Sequence, residues 1–476
     1  MERGGNDFAN IFGNLPEIVE NVIWHLDARS VLRAKEVCRL WKETIEHLER
    51  YNRLWRHLCL QDIHRASLID IVGFNPLSDD CQEDLPCGDD GEFEDLWKNV
   101  YRSWRAGQFL NHCKKSSFKL TGFSNGPSIL LIGAYVYMIA HTVCNTRLSV
   151  WNIDTSEQVL YSQDLRCDVN RTYSCSKMFA HLQNPLCKFS QHQDLTQHSL
   201  IILGVGNIQW WIFINGEFHL ANMLPDDDHG IMGVWHNTLV TYSYKRIMKV
   251  FILERRQNEC NFCARNVSEE LPSNLNVTSM NVWNNKCLFS VKSEPYSIAI
   301  YGLDNFQQQL IVTGLANVSY FGTLRLFGDF ILNSIGEVNH FSTQRNKLYV
   351  FNTKTGEQLH VKVNGVSHSR YKLHGDLLIV SQNLLDKVSL CRINKTRCKD
   401  PVWCEYDSQQ SSIEDEEDIG DNIRDDDGYR MVIPEVFETK KMIHRLKTFI
   451  ISYGESIVIL KGITPSHECF LDQYVY

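Results

Sequence analysis

Sixteen cysteines and eighteen histidines give this 476-residue chain ample material for metal binding or nucleophilic attack. Their spacing does not assemble either. Cys260 and Cys263 form a C-x-x-C pair, but a structural zinc site needs a second ligand pair at comparable spacing. None follows, so the pair reads as free thiols. Cys38 would be the thioester-forming nucleophile, yet it falls among apolar helical positions, where a thiol packs rather than reacts. P-loop, H-E-x-x-H and G-x-G-x-x-G motifs are all missing. The sequence therefore assigns no catalytic residue, no metal and no cofactor. What remains is the chemistry of recognition.

Recognition needs elements that present side chains, and residues 14–59 supply a dense set. Asn14 is placed to cap a helix, with Pro16 in its first turn, where a missing N–H costs nothing. Glu17 and Glu20 suit the positive end of its dipole. Ile18, Val22 and Leu26 recur at i, i+4 and i+8, with Val19 and Ile23 beside them. Ser30 is predicted to cap a second helix carrying Val31, Leu32, Ala34 and Val37. A third follows from Cys38, with Trp41, Ile45 and Leu48 on one side, and Leu54, Trp55, Leu58 and Cys59 begin a fourth. So small a unit cannot bury two apolar sides, and it is expected to dock on a partner. Residues 15–62 hold eight basic and eight acidic side chains, so no field steers them to nucleic acid.

Leu15-Pro16, Ile23 with Leu26-Asp27, Ser30 with Leu32, Val37-Cys38-Arg39, Trp41-Lys42 and Leu54-Trp55 follow in an order that resembles an F-box. The resemblance implies an all-α unit that binds the SKP-type adaptor and, through it, the cullin scaffold and RING subunit of a ubiquitin ligase. It assigns adaptor contacts to Leu15, Pro16, Ile18, Val19, Ile23, Leu26, Leu32, Val37, Cys38, Trp41 and Trp55. The plainer alternative is a helical cap on the domain that follows.

Composition bounds the rest. No apolar run reaches eighteen residues and the first ten lack a signal-peptide pattern, so no membrane segment or secretion is expected. Singly scattered cysteines fit a reducing compartment, cytoplasmic or nuclear. The net charge of −9 hides a split: residues 78–95 carry nine acidic and no basic groups, and residues 414–427 nine acidic and one basic. The remainder, with 39 acidic against 47 basic side chains, stands near +8. Both tracts read as solvated loops; electrostatic lids over a basic face are the sharper alternative.

Beyond residue 120 the periodicity changes to short strands. Four hairpins share one pattern, an apolar residue, two turn residues and an apolar strand, beginning at Trp235, Trp283, Phe327 and Leu373 with spacings of 48, 44 and 46. A further strand recurs at residues 148–151, 248–251, 298–301, 348–351 and 388–391. A period of forty to fifty residues at four strands per unit predicts β-propeller blades. Divergent units near residues 200–213 and 449–460 bring the count to seven, and residues 117–120 are expected to join the last. A pair of β-sandwiches is the alternative.

The blades resemble degenerate WD repeats, with Trp151-Asn152 and His374-Gly375-Asp376 as remnants, and residues 96–105 resemble the linker helix of F-box/WD-repeat proteins. The fold class is therefore multidomain: F-box helices at 14–60; a linker at 61–110 with an acidic loop at 78–95 and a helix at 94–106; and an all-β seven-bladed propeller at 111–476 with an acidic insertion at 405–430. The resemblance implies a substrate-recognition subunit of an SCF-type cullin–RING ligase, without catalysis of its own, or else an F-box propeller scaffold in a non-degradative assembly. In WD-type propellers the second-to-third-strand loops commonly take peptides. Here they carry Arg147, Lys245, Arg246, Arg345, Lys347 and Lys387, which suit a protein substrate and, as the sharper reading, a phosphorylated one. Ordinary solvated turns are the bland reading of the same residues.

Overall fold

A computed structural model describes residues 16–50, 53–77, 96–109, 112–121, 128–141, 146–165, 177–190, 193–203, 207–225, 229–243, 245–256, 259–268, 271, 277–291, 296–315, 324–336, 346–354, 358–362, 370–375, 377–382, 387–395, 401–404, 435–438, 449–463 and 469–476. Both acidic tracts, Asn14, Leu15 and Arg345 lie outside them.

Short apolar spacings make the helices: α1 Pro16–Trp24, α2 Ala28–Ala34, α3 Arg39–Arg50, α4 Arg53–Asp62, α5 Arg65–Val72 and α6 Leu96–Gln108. The cap of α2 is Asp27, not Ser30. Asp27 holds extended backbone, and its Oδ1 accepts the Ser30 N–H at 2.6 Å, which keeps its carboxyl below the usual range. The helices share one core. Val19, Ile23, Val31, Ile45, Leu54, Trp55 and Leu58 pack with Trp97 and Val100 of α6 and with Leu186 and Phe189 of a 3-10 turn, Pro185–Phe189. Across it, Tyr101 Oη donates to Asp62 at 2.7 Å. The segment expected to be a linker thus finishes the core of the helices before it.

Apart from a second 3-10 turn, Leu195–Gln197, the remaining regular elements among the described residues are strands. The first strand is β1 Lys114–Leu120. Sheets follow as β2 Ser128–Ile132, β3 Tyr135–His141, β4 Thr146–Asn152 and β5 Gln158–Leu165; then β6 Lys177–Leu182, β7 His198–Leu203, β8 Asn207–Ile214 and β9 Glu217–Pro225. The third is β10 His229–Trp235, β11 Thr238–Ser243, β12 Met248–Arg256 and β13 Glu259–Val267. The fourth is β14 Val277–Trp283, β15 Lys286–Val291, β16 Tyr296–Gly302 and β17 Gln308–Leu315. The fifth is β18 Leu324–Phe327, β19 Phe330–Gly336, β20 Asn346–Asn352 and β21 Gln358–Lys362. The sixth is β22 Arg370–His374, β23 Leu377–Gln382 and β24 Lys387–Lys395, with β25 Pro401–Cys404 and β26 Glu435–Glu438 both on β24. The seventh is β27 Phe449–Tyr453, β28 Ser456–Ile463 and β29 Cys469–Val475, completed by β1.

Each sheet is an antiparallel meander, the unit of a β-propeller. Their first strands lie side by side: β2 between β27 and β6, β14 between β10 and β18, and β22 against β27. The hairpins expected at Trp235, Trp283 and Phe327 form with Trp235 opposite Thr238, Trp283 opposite Lys286 and Phe327 opposite Phe330. His236, Asn284 and Asn285 take the positive φ such turns require. Apolar faces of neighbouring sheets fill the space between them, as where the Trp210 and Phe262 rings lie 5.4 Å apart across the second and third.

Three histidines are sealed in this packing. His181 meets Ser199 Oγ at 3.1 Å, and His198 Nδ1 meets Tyr137 Oη at 2.6 Å. Burial pulls His181 down to about 3, and His198 and His374 to about 4. These folded-state values lie below the unfolded one, so the unfolded chain binds protons that the native chain refuses once pH falls below about 6.5. Stability should therefore drop between pH 7 and pH 4, by up to about 1.4 kcal/mol per pH unit for each histidine. Urea unfolding at stepped pH measures the slope, and His181→Asn should make it shallower.

Candidate functional site

Two outward surfaces and the junction between them define the site. The junction is built on α5, whose residues from Ala66 to Val72 are all buried. One of them is an acid. Asp70 pairs through Oδ1 with Arg325 of β18, and its Oδ2 accepts the Gly375 N–H at 2.7 Å. Gly375 has φ +57°, and a Cβ there would stand 2.7 Å from Ile71 Cδ1. Lys188 donates to the Ile71 carbonyl, and burial brings its ammonium down to about 8. The Phe74 ring lies 5.9 Å from that of His236.

Helix α6 extends the contact. Ser103 Oγ donates to Ser456 O at 2.9 Å, Arg102 pairs with Glu455, and Asn99 Nδ2 donates to Phe189 O at 2.8 Å. The connections between first and second strands of the second, third, fifth, sixth and seventh sheets thus converge on the helices. That end of the sheets is covered, and the second-to-third-strand connections lie at the other.

Sequence periodicity missed α5. A helix buried on all sides shows no amphipathic stripe, and its N-cap, His64, makes no capping bond. The available signal was a lone acid within Ala-Ser-Leu-Ile-Asp-Ile-Val, ended by Gly73 at φ +90°.

The first outward surface is apolar. Ile18 and Val22 of α1, Leu32 of α2 and Val37 beyond it are exposed at 41, 39, 47 and 67%. Leu26, Cys38 and Trp41 are half-buried, and Pro16 opens α1. Val19, Ile23 and Trp55, also expected at the adaptor surface, lie on the inner side. All three are buried, with Trp55 Nε1 donating to Glu49 at 3.0 Å, so they build the unit's core. Val22 was absent from the expected contacts; it shares the exposed side of α1 with Ile18, one turn away.

The second surface carries the basic residues. Lys245 is exposed and Arg246 half-buried, both between β11 and β12, and Arg246 takes φ +62°. Arg147, at the start of β4, is exposed and donates Nε to Asp164 at 3.1 Å, so any anion must compete with that carboxylate. Lys347 lies in β20, and Lys387 opens β24 opposite Glu438. These positions recur at one end of four sheets. Among the described residues no three His, Cys, Asp or Glu side chains group as a metal site, and no helix is long and apolar enough to cross a membrane.

No family model and no curated relative matches the chain. Solved structures similar to it include the WD40 domain of Toxoplasma gondii coronin, at 8% identity and TM-score 0.47, covering 76% of this chain and 86% of that one. A chain of the mitotic checkpoint complex matches at 8% identity and TM-score 0.43, covering 75% and 95%. Kluyveromyces lactis Hsv2 matches at 12% identity and TM-score 0.41, covering 58% and 84%.

The junction yields a direct test. Asp70→Ala leaves the Arg325 guanidinium and the Gly375 N–H without their carboxylate, which should cost about 3 kcal/mol. The expected result is a lower melting temperature and faster proteolysis between the helices and β1. Asp70→Asn, which keeps an acceptor, should lose less.

Proposed function

We propose that this chain is the substrate-recognition subunit of an SCF-type cullin–RING ubiquitin ligase. Its helices 14–60 act as an F-box for the SKP-type adaptor. Its seven sheets close as one seven-bladed ring of WD-like repeats that holds a protein substrate. The carrying observation is the exposed set Ile18, Val22, Leu32 and Val37 on helices whose other side is already buried. Four aliphatic side chains on two adjoining short helices and the turn that follows them suit a partner helix better than water.

The chain itself performs no bond chemistry in this reading. Holding a substrate lysine beside a charged conjugating enzyme raises its effective concentration, and the partners transfer ubiquitin. The covered end of the sheets supports the geometry, because adaptor and substrate then occupy opposite sides of one body. Free cysteines, among them the buried Cys59, Cys187, Cys287 and Cys469, support a reducing location in cytoplasm or nucleus.

Leu32→Asp with Val37→Asp tests the adaptor surface. Both positions are exposed, so stability should stay within about 0.5 kcal/mol of the parent. Co-purification with the adaptor should fall at least tenfold (about 1.4 kcal/mol); undiminished recovery would sink the proposal. For the substrate surface, matched phosphorylated and unmodified peptide libraries should separate on the full chain. Lys245→Glu with Arg246→Glu should remove a preference for the phosphorylated set.

A further inference from the structure

From residue 96 to residue 153 the chain holds no Asp or Glu, although acids make up 57 of its 476 residues. Six Lys and Arg fall in the first part of that stretch, at residues 98, 102, 105, 114, 115 and 119. The fold turns the run into one surface. Lys98, Arg102 and Arg105 recur on α6 at spacings of four and three, so they share a side of the helix. The chain then enters β1, the edge strand of the seventh sheet, where Lys114, Lys115 and Lys119 are exposed. Helix and strand meet through Tyr476, the residue after β29. Arg105 Nη2 donates to its Oη at 3.3 Å, and the neighbouring Val475 stands opposite Lys114.

Carboxylates meet two of these cations. Arg102 pairs with Glu455, and Lys115 with Asp472 at 3.0 Å. Arg105 lies instead against rings, its guanidinium carbon 4.3 Å from the centre of Phe109 and 5.3 Å from that of Tyr476. Among the described residues neither Arg105 nor Lys114 has a carboxylate partner. The rings reach the surface too. Phe109 is half-buried, Tyr476 is 52% exposed, and their centres are 5.8 Å apart.

This arrangement discriminates among anions. A single phosphorylated side chain is held by cations that converge on one point. These are strung along about 10 Å of helix and about 17 Å of strand. An acidic peptide would use the charges and leave the rings unused. A single strand of nucleic acid uses both, its backbone tracked by spaced cations and its bases stacked on aromatic faces. We propose that the α6–β1 surface binds single-stranded nucleic acid, with Tyr476 stacking a base and Arg105 and Lys114 meeting the phosphates beside it. The surface lies apart from residues 15–62, whose charges balance. It shares no residue with the adaptor and substrate surfaces, so it stands or falls separately from the ligase reading.

The test uses the full chain and a short fluorescein-labelled single-stranded RNA, read by fluorescence polarisation. Neutralising about four phosphates gives a slope of about −2.8 in log affinity against log salt, so doubling the salt should weaken binding about sevenfold. Tyr476→Ala removes stacking and no charge, and should weaken binding at least fivefold with the salt slope unchanged. Lys114→Glu with Lys119→Glu should weaken it at least tenfold and flatten the slope. Both variants alter exposed side chains. Thermal melting checks that each is folded, and should one not fold, the other decides. The same RNA annealed to its complement should bind more weakly, since paired bases cannot stack on the ring. Parent binding no tighter than that of either folded variant, or a preference for the duplex, would overturn the proposal. So would a labelled poly-glutamate peptide that binds as tightly as the RNA, which would make the surface a site for acidic protein.

Discussion

The structure depends on one buried carboxylate. Asp70 lies on a helix buried from Ala66 to Val72, where an unpaired charge would be costly. Arg325 and the Gly375 N–H, from two different sheets, both meet it. A buried ion pair of this kind adds little net stability over an apolar substitute, but breaking one partner is expensive. Its service is therefore orientational. Aliphatic contacts alone would let α5 slide or rotate against the turns beneath it, whereas a carboxylate with two directional partners admits one seating.

That seating orders the rest. The glycine at 375 leaves room for Ile71, and Gly328 likewise faces Ala66 across 2.8 Å from the site of a Cβ. Lys188 reaches the carbonyl at the C-terminal end of α5, where a cation is favoured. The helical layer and the sheets consequently meet through polar contacts fixed in direction, with apolar packing around them. The aliphatic set on α1 and α2 and the basic turns at the far end of the sheets are held in a single frame.

The strand meanders were legible because their turn pairs demand particular residues: Asn284-Asn285 and Gly328 announce a positive φ wherever they stand. The recurring third strands were legible from their alternation. Facing within α1 was not. Ile18 and Val19 are neighbours of equal hydrophobicity, and Val22 and Ile23 repeat the ambiguity one turn on, so only packing decides which pair is buried. The choice between Asp27 and Ser30 as cap was equally open, since both residues cap well and backbone conformation settles the matter. Helix α5 was invisible for the reason that makes it important: complete burial erases the periodicity by which helices are recognised. The basic turns show a last limit. Arg147 reads as an available cation until Asp164, seventeen residues on, is found beside it.

The seventh sheet joins β1 to β29, so that Ser117 bonds Asp472 across 355 residues of chain. On a ribosome this has a temporal meaning. The helices emerge first, yet the turn that receives Ser103 and Arg102 is made about 350 residues later. At synthesis rates of 5–20 residues per second, roughly twenty seconds to a minute separates them. Until then the side of α6 that meets β27, β28 and β29 has nothing to pack against, while α5 gains β18 and β22 earlier. The helical layer therefore gains its full set of contacts only when the seventh sheet is made.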